Sequence, residues 1–172
     1  MPLTLIKEDG TGKADANAYA NVADGDAYHA GHLYASAWTA ASADTKAVAL
    51  VMASRLIDAE FQFGGTRSVL TQSLQWPRED CPDPDGEVAL PDDAVPKAVV
   101  QSACELAREL LIADRTAAPA GEGLKYYNDA GKQTGYDKAD RRPVIPAVVQ
   151  AMLAKYGAML QAKSGSVKLV RV

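Results

Sequence analysis

The sequence predicts a mainly α fold: a compact bundle of about four helices with a long ordered loop, a short β-hairpin, and extended N- and C-terminal arms. Three observations carry this. The 172 residues include 32 alanines against two Phe and two Trp; alanine is the best helix former, and small side chains let helices approach closely. Apolar residues recur at i, i+3, i+4 and i+7 in several windows. Between Phe61 and Pro91, Gly64-Gly65, Gly86 and four prolines forbid a long helix.

The elements follow in chain order. Residues 1–20 read as an arm of small residues around Gly10-Thr11-Gly12. A helix begins after Asn21, a good N-cap with Asp24 over the open amides, and fades near Tyr34. Ser42 caps a second helix, whose stripe is Ala47, Leu50, Val51, Ser54 and Ile57. Phe61 to Pro91 is an ordered loop pinned by Phe61, Phe63, Leu74 and Trp76, and a loop of that length is usually functional. A third helix starts near Asp92 or Asp93, with Pro96 in its first turn. Its stripe of Val99, Ala103, Leu106, Leu110 and Ala113, widened by Val100, Cys104, Ala107 and Leu111, makes it central. Residues 117–145 lose the pattern, and Asn128-Asp129-Ala130-Gly131 turns a short hairpin. A fourth helix opens at Pro146 and carries Val149, Met152, Leu153, Tyr156 and Leu160. Val167-Lys168-Leu169-Val170-Arg171-Val172 then reads as a strand without a partner inside the chain. The domain division is an arm over 1–20, a helical domain over 21–163 with the 117–145 insertion, and an arm over 164–172.

Composition narrows the function. Lys plus Arg is 18 and Asp plus Glu is 22, a net charge of -4, with an isoelectric point near 5.2. Duplex-DNA binders are usually basic, because affinity comes from neutralising phosphates. No apolar run reaches the roughly 20 residues that cross a bilayer, and Lys7, Glu8 and Asp9 are unlike a signal peptide. Membrane and secreted readings are therefore disfavoured. Cys81 and Cys104 make no disulfide framework, and reduced thiols in a cytosolic compartment are expected.

Sites for chemistry are thin. His29 and His32 have the spacing for a shared metal, but no HExxH or cysteine pair supports it, and surface histidines are the preferred reading. Cys81-Pro82-Asp83-Pro84-Asp85-Gly86, with Asp92 twelfth in the register, imitates a calcium loop. It has Cys at the first ligand position and two prolines, so a turn with solvated carboxylates is preferred. No GxSxG or phosphate-cradling glycine pattern is present, and Cys104 lies on an apolar helix face. No catalytic, metal or cofactor residue is assigned. From Lys125 to Arg142, Tyr126, Tyr127 and Tyr136 interleave with Lys125, Lys132, Lys138, Arg141 and Arg142, the mixture that single-strand binding uses. Asp129, Asp137 and Asp140 cancel three of these charges, which favours an exposed hairpin or protein-contact arm. Trp76 is read as a core plug, with Pro77 and Arg78 beside it and Arg78 paired to a carboxylate such as Asp58.

Several segments together resemble a known family. They are Asn17-Ala18-Tyr19 with Val22-Ala23-Asp24-Gly25-Asp26-Ala27-Tyr28, then Trp38, Ala53-Ser54-Arg55-Leu56-Ile57-Asp58 and Phe63-Gly64-Gly65. The most specific is Gln72-Ser73-Leu74-Gln75-Trp76-Pro77-Arg78, followed by Asp85-Gly86, Val95-Pro96 and the closing Val170-Arg171. They resemble the head–tail connector proteins of tailed bacteriophages, also called head-completion or adaptor proteins. Some members carry the label of a DnaT-like single-stranded-DNA-binding protein. The likeness covers most of residues 17–113 and the extreme C-terminus. It implies a non-catalytic virion protein of the neck, assembled in the host cytoplasm as a ring beneath the portal protein. By analogy the ring has twelve copies, extends the DNA channel and offers a platform for a tail terminator or other neck protein. Phage DNA would pass through it without sequence-specific binding, which suits an acidic chain. Val167, Lys168, Leu169, Val170, Arg171 and Val172 are then expected to contact a neighbouring subunit or the portal. Lys125, Tyr126, Tyr127, Lys132, Tyr136, Arg141 and Arg142 are expected to contact a partner or DNA. The alternative function is a single-stranded-DNA-binding replication accessory protein.

Overall fold

A computed structural model describes residues 3–86, 88–118, 125–129, 131–135 and 142–160. Their helices are α1 (Val22–His29), α2 (Ser36–Thr39), α3 (Ala43–Glu60), α4 (Lys97–Ile112) and α5 (Ala147–Leu153). Their strands are β1 (Phe61–Phe63), β2 (Thr66–Arg67), β3 (Arg78–Glu79), β4 (Tyr126–Asp129), β5 (Lys132–Gly135) and β6 (Gly157–Met159). Three two-stranded antiparallel sheets pair β1 with β6, β2 with β3, and β4 with β5. The fold is mainly α, as the alanine content and apolar periodicity predict. No helix among the described residues is long and apolar enough to cross a membrane.

Helix α1 starts where the sequence says it should. The Asn21 side chain accepts from the Asp24 N–H at 2.9 Å, and the Asp24 carboxylate accepts from the Asn21 N–H at 2.8 Å. This reciprocal capping box satisfies two groups at the helix start. The helix stops at His29 rather than near Tyr34. Beyond it the His32 ring accepts the Tyr34 N–H at 3.0 Å, so the chain turns and then forms α2, a short helix that the periodicity does not announce. Trp38 on α2 lies across Gly25, where a Cβ would come within 2.3 Å of the indole. That close approach explains a glycine inside α1.

Helix α3 is capped by Ser42, which accepts from Thr45 N–H at 3.2 Å, and buries Leu50, Ala53, Ser54 and Ile57. Its principal partner is α4, which also packs against α1, α2 and α5 and is therefore central. Helix α4 begins at Lys97, not at Asp92 or Asp93. Pro96 holds an extended N-cap, and a residue preceding proline is biased away from helix, so Val95 ends the loop instead of starting the helix. The fourth expected helix is also shorter. It ends at Leu153, and Gly157 enters β6 opposite Phe63. A Cβ at Gly157 would lie 2.3 Å from the Gln62 carbonyl oxygen, so the close strand approach requires glycine.

Residues 3–20 are irregular, yet fastened to the bundle. The Glu8 N–H donates to the Ala18 carbonyl at 2.9 Å, and Ala16, Ala18, Tyr19 and Ala20 are buried. The Glu8 carboxylate, itself buried, accepts from the N–H groups of Gly10, Gly12 and Lys13 at 2.8–2.9 Å. Gly10 and Gly12 take positive φ to form this loop. Cys81 and Cys104 are free, buried thiols.

Candidate interaction site

The segment Gln72–Arg78 is anchored from several elements. Asp58 on α3 accepts the Tyr19 hydroxyl and, at 3.0 Å, the Gln75 N–H. Burial pushes its carboxyl up to about 6 even with these donors. Burial and the adjacent carboxylate together push the Tyr19 phenol well above its usual range. Trp76 is fully buried, its ring 5.6 Å from Phe63 and 6.2 Å from Tyr156. The Gln72 amide donates to the carbonyls of Leu74 and Pro77 at 2.8 and 3.0 Å.

Among the described residues Arg78 does not form the expected carboxylate pair. Its guanidinium donates to the Gly64 carbonyl at 2.6 Å and the Gly65 carbonyl at 2.7 Å. It also reaches the Gln75 carbonyl and side-chain oxygen, both at 3.0 Å. The planar fork of arginine suits converging carbonyls, while Asp58 is engaged by Tyr19 and Gln75. Both groups hold the loop to the bundle.

A second polar cluster joins α1 to α4. Arg108 donates to Glu105 at 2.6 Å and to Glu109 at 2.8 Å, and Arg115 reaches Glu109 at 3.0 Å. Glu105, Arg108 and Arg115 are buried. Reading α4 as an apolar stripe missed them; the Glu105–Arg108 spacing of i, i+3 was the available signal. His29 corrects the expectation of surface histidines. It is buried, with Nε2 3.1 Å from the Cys104 carbonyl oxygen, and burial lowers its basicity. His32 instead faces Glu105 at 3.6 Å. No group of three metal-binding side chains occurs among the described residues.

The surface presents apolar side chains. Leu33 is 85% exposed and Leu70 90%. Along α3 a groove of about 400 Å³ is lined by Leu3, Val48, Val51, Met52, Arg55 and Leu56. Arg55 has no ion pair or hydrogen bond among the described residues, so the groove carries one uncommitted cation.

The expected hairpin is present as β4 and β5, with Tyr126 opposite Gly135 and Asp129 opposite Lys132. Lys125 and Tyr126 are exposed. Tyr126 shares its strand face with Asn128, since alternate residues line one face. Tyr127 lies opposite Thr134 in the register and Lys132 opposite Asp129. The Arg142 guanidinium is exposed, 3.8 Å from Glu109. Tyr136, Lys138, Arg141 and Val167–Val172 lie outside the described residues.

A family model described as "Putative DnaT-like ssDNA binding protein" matches residues 3–172. The chain belongs to this DnaT-like family. No curated protein and no solved structure is significantly similar to it. The family description speaks of single-stranded DNA and not of a virion neck, so it favours the second of the two functions expected from sequence. Within this DnaT-like chain, the described residues fitting that description are Lys125 and Tyr126 on the hairpin, with Arg142 nearby in sequence.

Proposed function

We propose that this chain is a non-catalytic assembly protein, a head–tail connector subunit that packs as a ring under a phage portal and receives a neck or tail protein. One observation carries the reading: buried charged groups are spent on internal contacts, while aliphatic side chains and an apolar groove remain outside. Glu8, Asp58, Arg78, Glu105 and Arg108 hold loops and helices together. The apolar groove along α3 offers surface of the kind that binds protein. The net charge of -4 suits a wall past which DNA slides. In this proposal residues 167–172 supply the contact to a neighbour or to the portal. Residues 3–20 are fastened to their own bundle, so the N-terminal segment is not a free lacing arm.

The second reading, a single-stranded-DNA-binding replication accessory protein, is favoured by the family description and by the exposed Lys125 and Tyr126. Disrupting the gene in a phage and imaging lysates while measuring phage DNA separates the two. Normal DNA synthesis with tailless or leaking heads supports the connector. Failed DNA synthesis with few filled heads overturns it and supports the replication role.

A further inference from the structure

The turn between α1 and α2 closes on a histidine ring that meets a different group on each side. His32 Nδ1 accepts the Tyr34 N–H at 3.0 Å, so that nitrogen is bare and the proton of the neutral ring sits on Nε2. The arrangement copies an Asx turn, in which a side-chain acceptor takes the N–H two residues on. Nε2 faces Glu105 Oε2 on α4 across 3.6 Å, beyond good hydrogen-bond geometry. Glu105 is buried, and Oε2 has no hydrogen-bond partner among the described residues. Its other oxygen accepts Arg108 at 2.6 Å. The His32 side chain is partly exposed, so solvent protons reach the ring.

Protonation sets the two sides of the ring against each other. Histidine is the side chain that ordinarily changes charge between about pH 8 and pH 5. The imidazolium carries a proton on both nitrogens, so Nδ1 then meets the Tyr34 N–H donor against donor. On the other side the cation is drawn to the unpartnered Glu105 oxygen, where a charge-assisted bond closes the gap to about 2.7–2.9 Å. The other groups around the ring leave this balance in place. His29 on α1 has its ring centroid 5.8 Å away, but burial lowers its basicity, so it gains a proton only after an ordinary histidine does. Burial and the Glu105 carboxylate hold the Tyr28 phenol up at about 12, and it stays neutral. Arg108 on α4 opposes a new cation, yet it is divided between Glu105 and Glu109. Helix α2, Ser-Ala-Trp-Thr, adds no charged side chain.

We propose that His32 is a pH-sensitive latch on the α1–α2 turn: the neutral ring holds the Tyr34 amide, and the protonated ring releases it and pairs with Glu105. What the latch holds is an apolar tip, since Leu33 and Tyr34 are both largely exposed. The second tie on this turn is long, an Arg108 guanidinium donating to the Tyr34 carbonyl at 3.5 Å. Acidification therefore loosens the backbone that carries these two side chains. The latch rests on neither functional reading, and either can fail without the other.

The test is nuclear magnetic resonance of the full chain labelled with nitrogen-15. At about pH 8, long-range proton–nitrogen correlations should place the His32 proton on Nε2. As pH falls to about 5, the Tyr34 amide should shift with the midpoint of the His32 ring, and its protection from exchange, corrected for the intrinsic rate, should drop about tenfold. His32→Asn keeps an acceptor for the Tyr34 amide but gains no proton, so protection there should be constant. This position is partly exposed, and the substitution spares the core. Glu105→Gln keeps an acceptor for Arg108 and should move the His32 midpoint to lower pH. Four results overturn the proposal: a ring proton on Nδ1 at the higher pH, Tyr34 protection unchanged while His32 titrates, an equal drop in His32→Asn, or a midpoint unmoved in Glu105→Gln.

Discussion

The hydroxyl of Tyr19 donates to the carboxylate of Asp58, joining the segment before α1 to the last turns of α3. Both groups also meet the Gln75 N–H, at 3.1 Å from the Tyr19 oxygen and 3.0 Å from Asp58. Three stretches distant in sequence thus converge on one buried proton-sharing pair. The Gln72–Arg78 motif owes its placement to that junction as much as to Trp76.

A pH dependence follows from this pair. Burial holds the Asp58 carboxyl at about 6 against an ordinary value of 3.8. The folded state therefore binds its proton more tightly than the unfolded chain. The associated stability is fully present below 3.8, declines as pH rises, and is lost above about 6. Asp9, held at about 2, does not titrate in this window. Urea unfolding between pH 4 and 7 should show wild type losing on the order of 2 to 3 kcal/mol relative to Asp58→Asn. Parallel pH profiles for the two proteins would refute the assignment.

Trp76 is fully buried against Phe63 and Tyr156. Trp76→Ala should cost about 3–5 kcal/mol, as for large aromatic truncations in cores. Thermal melting of the isolated protein should fall by roughly 10 °C. The indole Nε1 has no hydrogen-bond partner among the described residues, so Trp76→Phe should lose less than Trp76→Ala. Unchanged melting with lost assembly would instead place Trp76 in a partner contact.

Glu8 and Asp9 are adjacent acids with opposite expected effects. Glu8 is 1% exposed and accepts three backbone N–H groups. Removing it leaves those donors buried without a partner. Glu8→Ala should destabilise by about 2–4 kcal/mol in chemical denaturation. Asp9 pairs with Lys13 at the surface, and exposed ion pairs contribute little because solvent screens them. Asp9→Ala should be close to neutral, and equal losses at the two positions would contradict the loop's role.

Legibility in the sequence tracked the range of the interactions. Asn21 and Ser42 could be read as caps because a cap is settled within three residues. The α3 and α4 stripes could be read because periodicity is local. The end of α1 could not, since it depends on His32 meeting the Tyr34 amide and on Trp38 crossing Gly25. Nor could the end of α5, because Gly157 is required by Gln62, almost a hundred residues away. Arg78 falls within the stretch read as a loop but lies in β3, and its partners are carbonyl oxygens, which no residue letter advertises. The apolar groove was invisible for a related reason: Val48, Met52 and Leu56 lie outside the stripe of Ala47, Leu50, Val51, Ser54 and Ile57, and only the packing shows that they line a groove.

The hairpin gives the last prediction, and it bears directly on function. Lys125 and Tyr126 are exposed, one a cation and one a ring able to stack on a base. Stacking contributes about 1–3 kcal/mol per base, and phosphate contacts make affinity fall steeply with salt. If the DnaT-like family description holds for this chain, it should shift a single-stranded oligonucleotide at low salt and release it as salt rises. Tyr126→Ala should then weaken binding about tenfold, and Lys125→Glu should flatten the salt dependence. Under the connector proposal the oligonucleotide is not retained specifically, and neither substitution changes its mobility. Fluorescence anisotropy across a salt series decides between them. Only a ligand stacked on Tyr126 responds to the ring and to salt as separable effects.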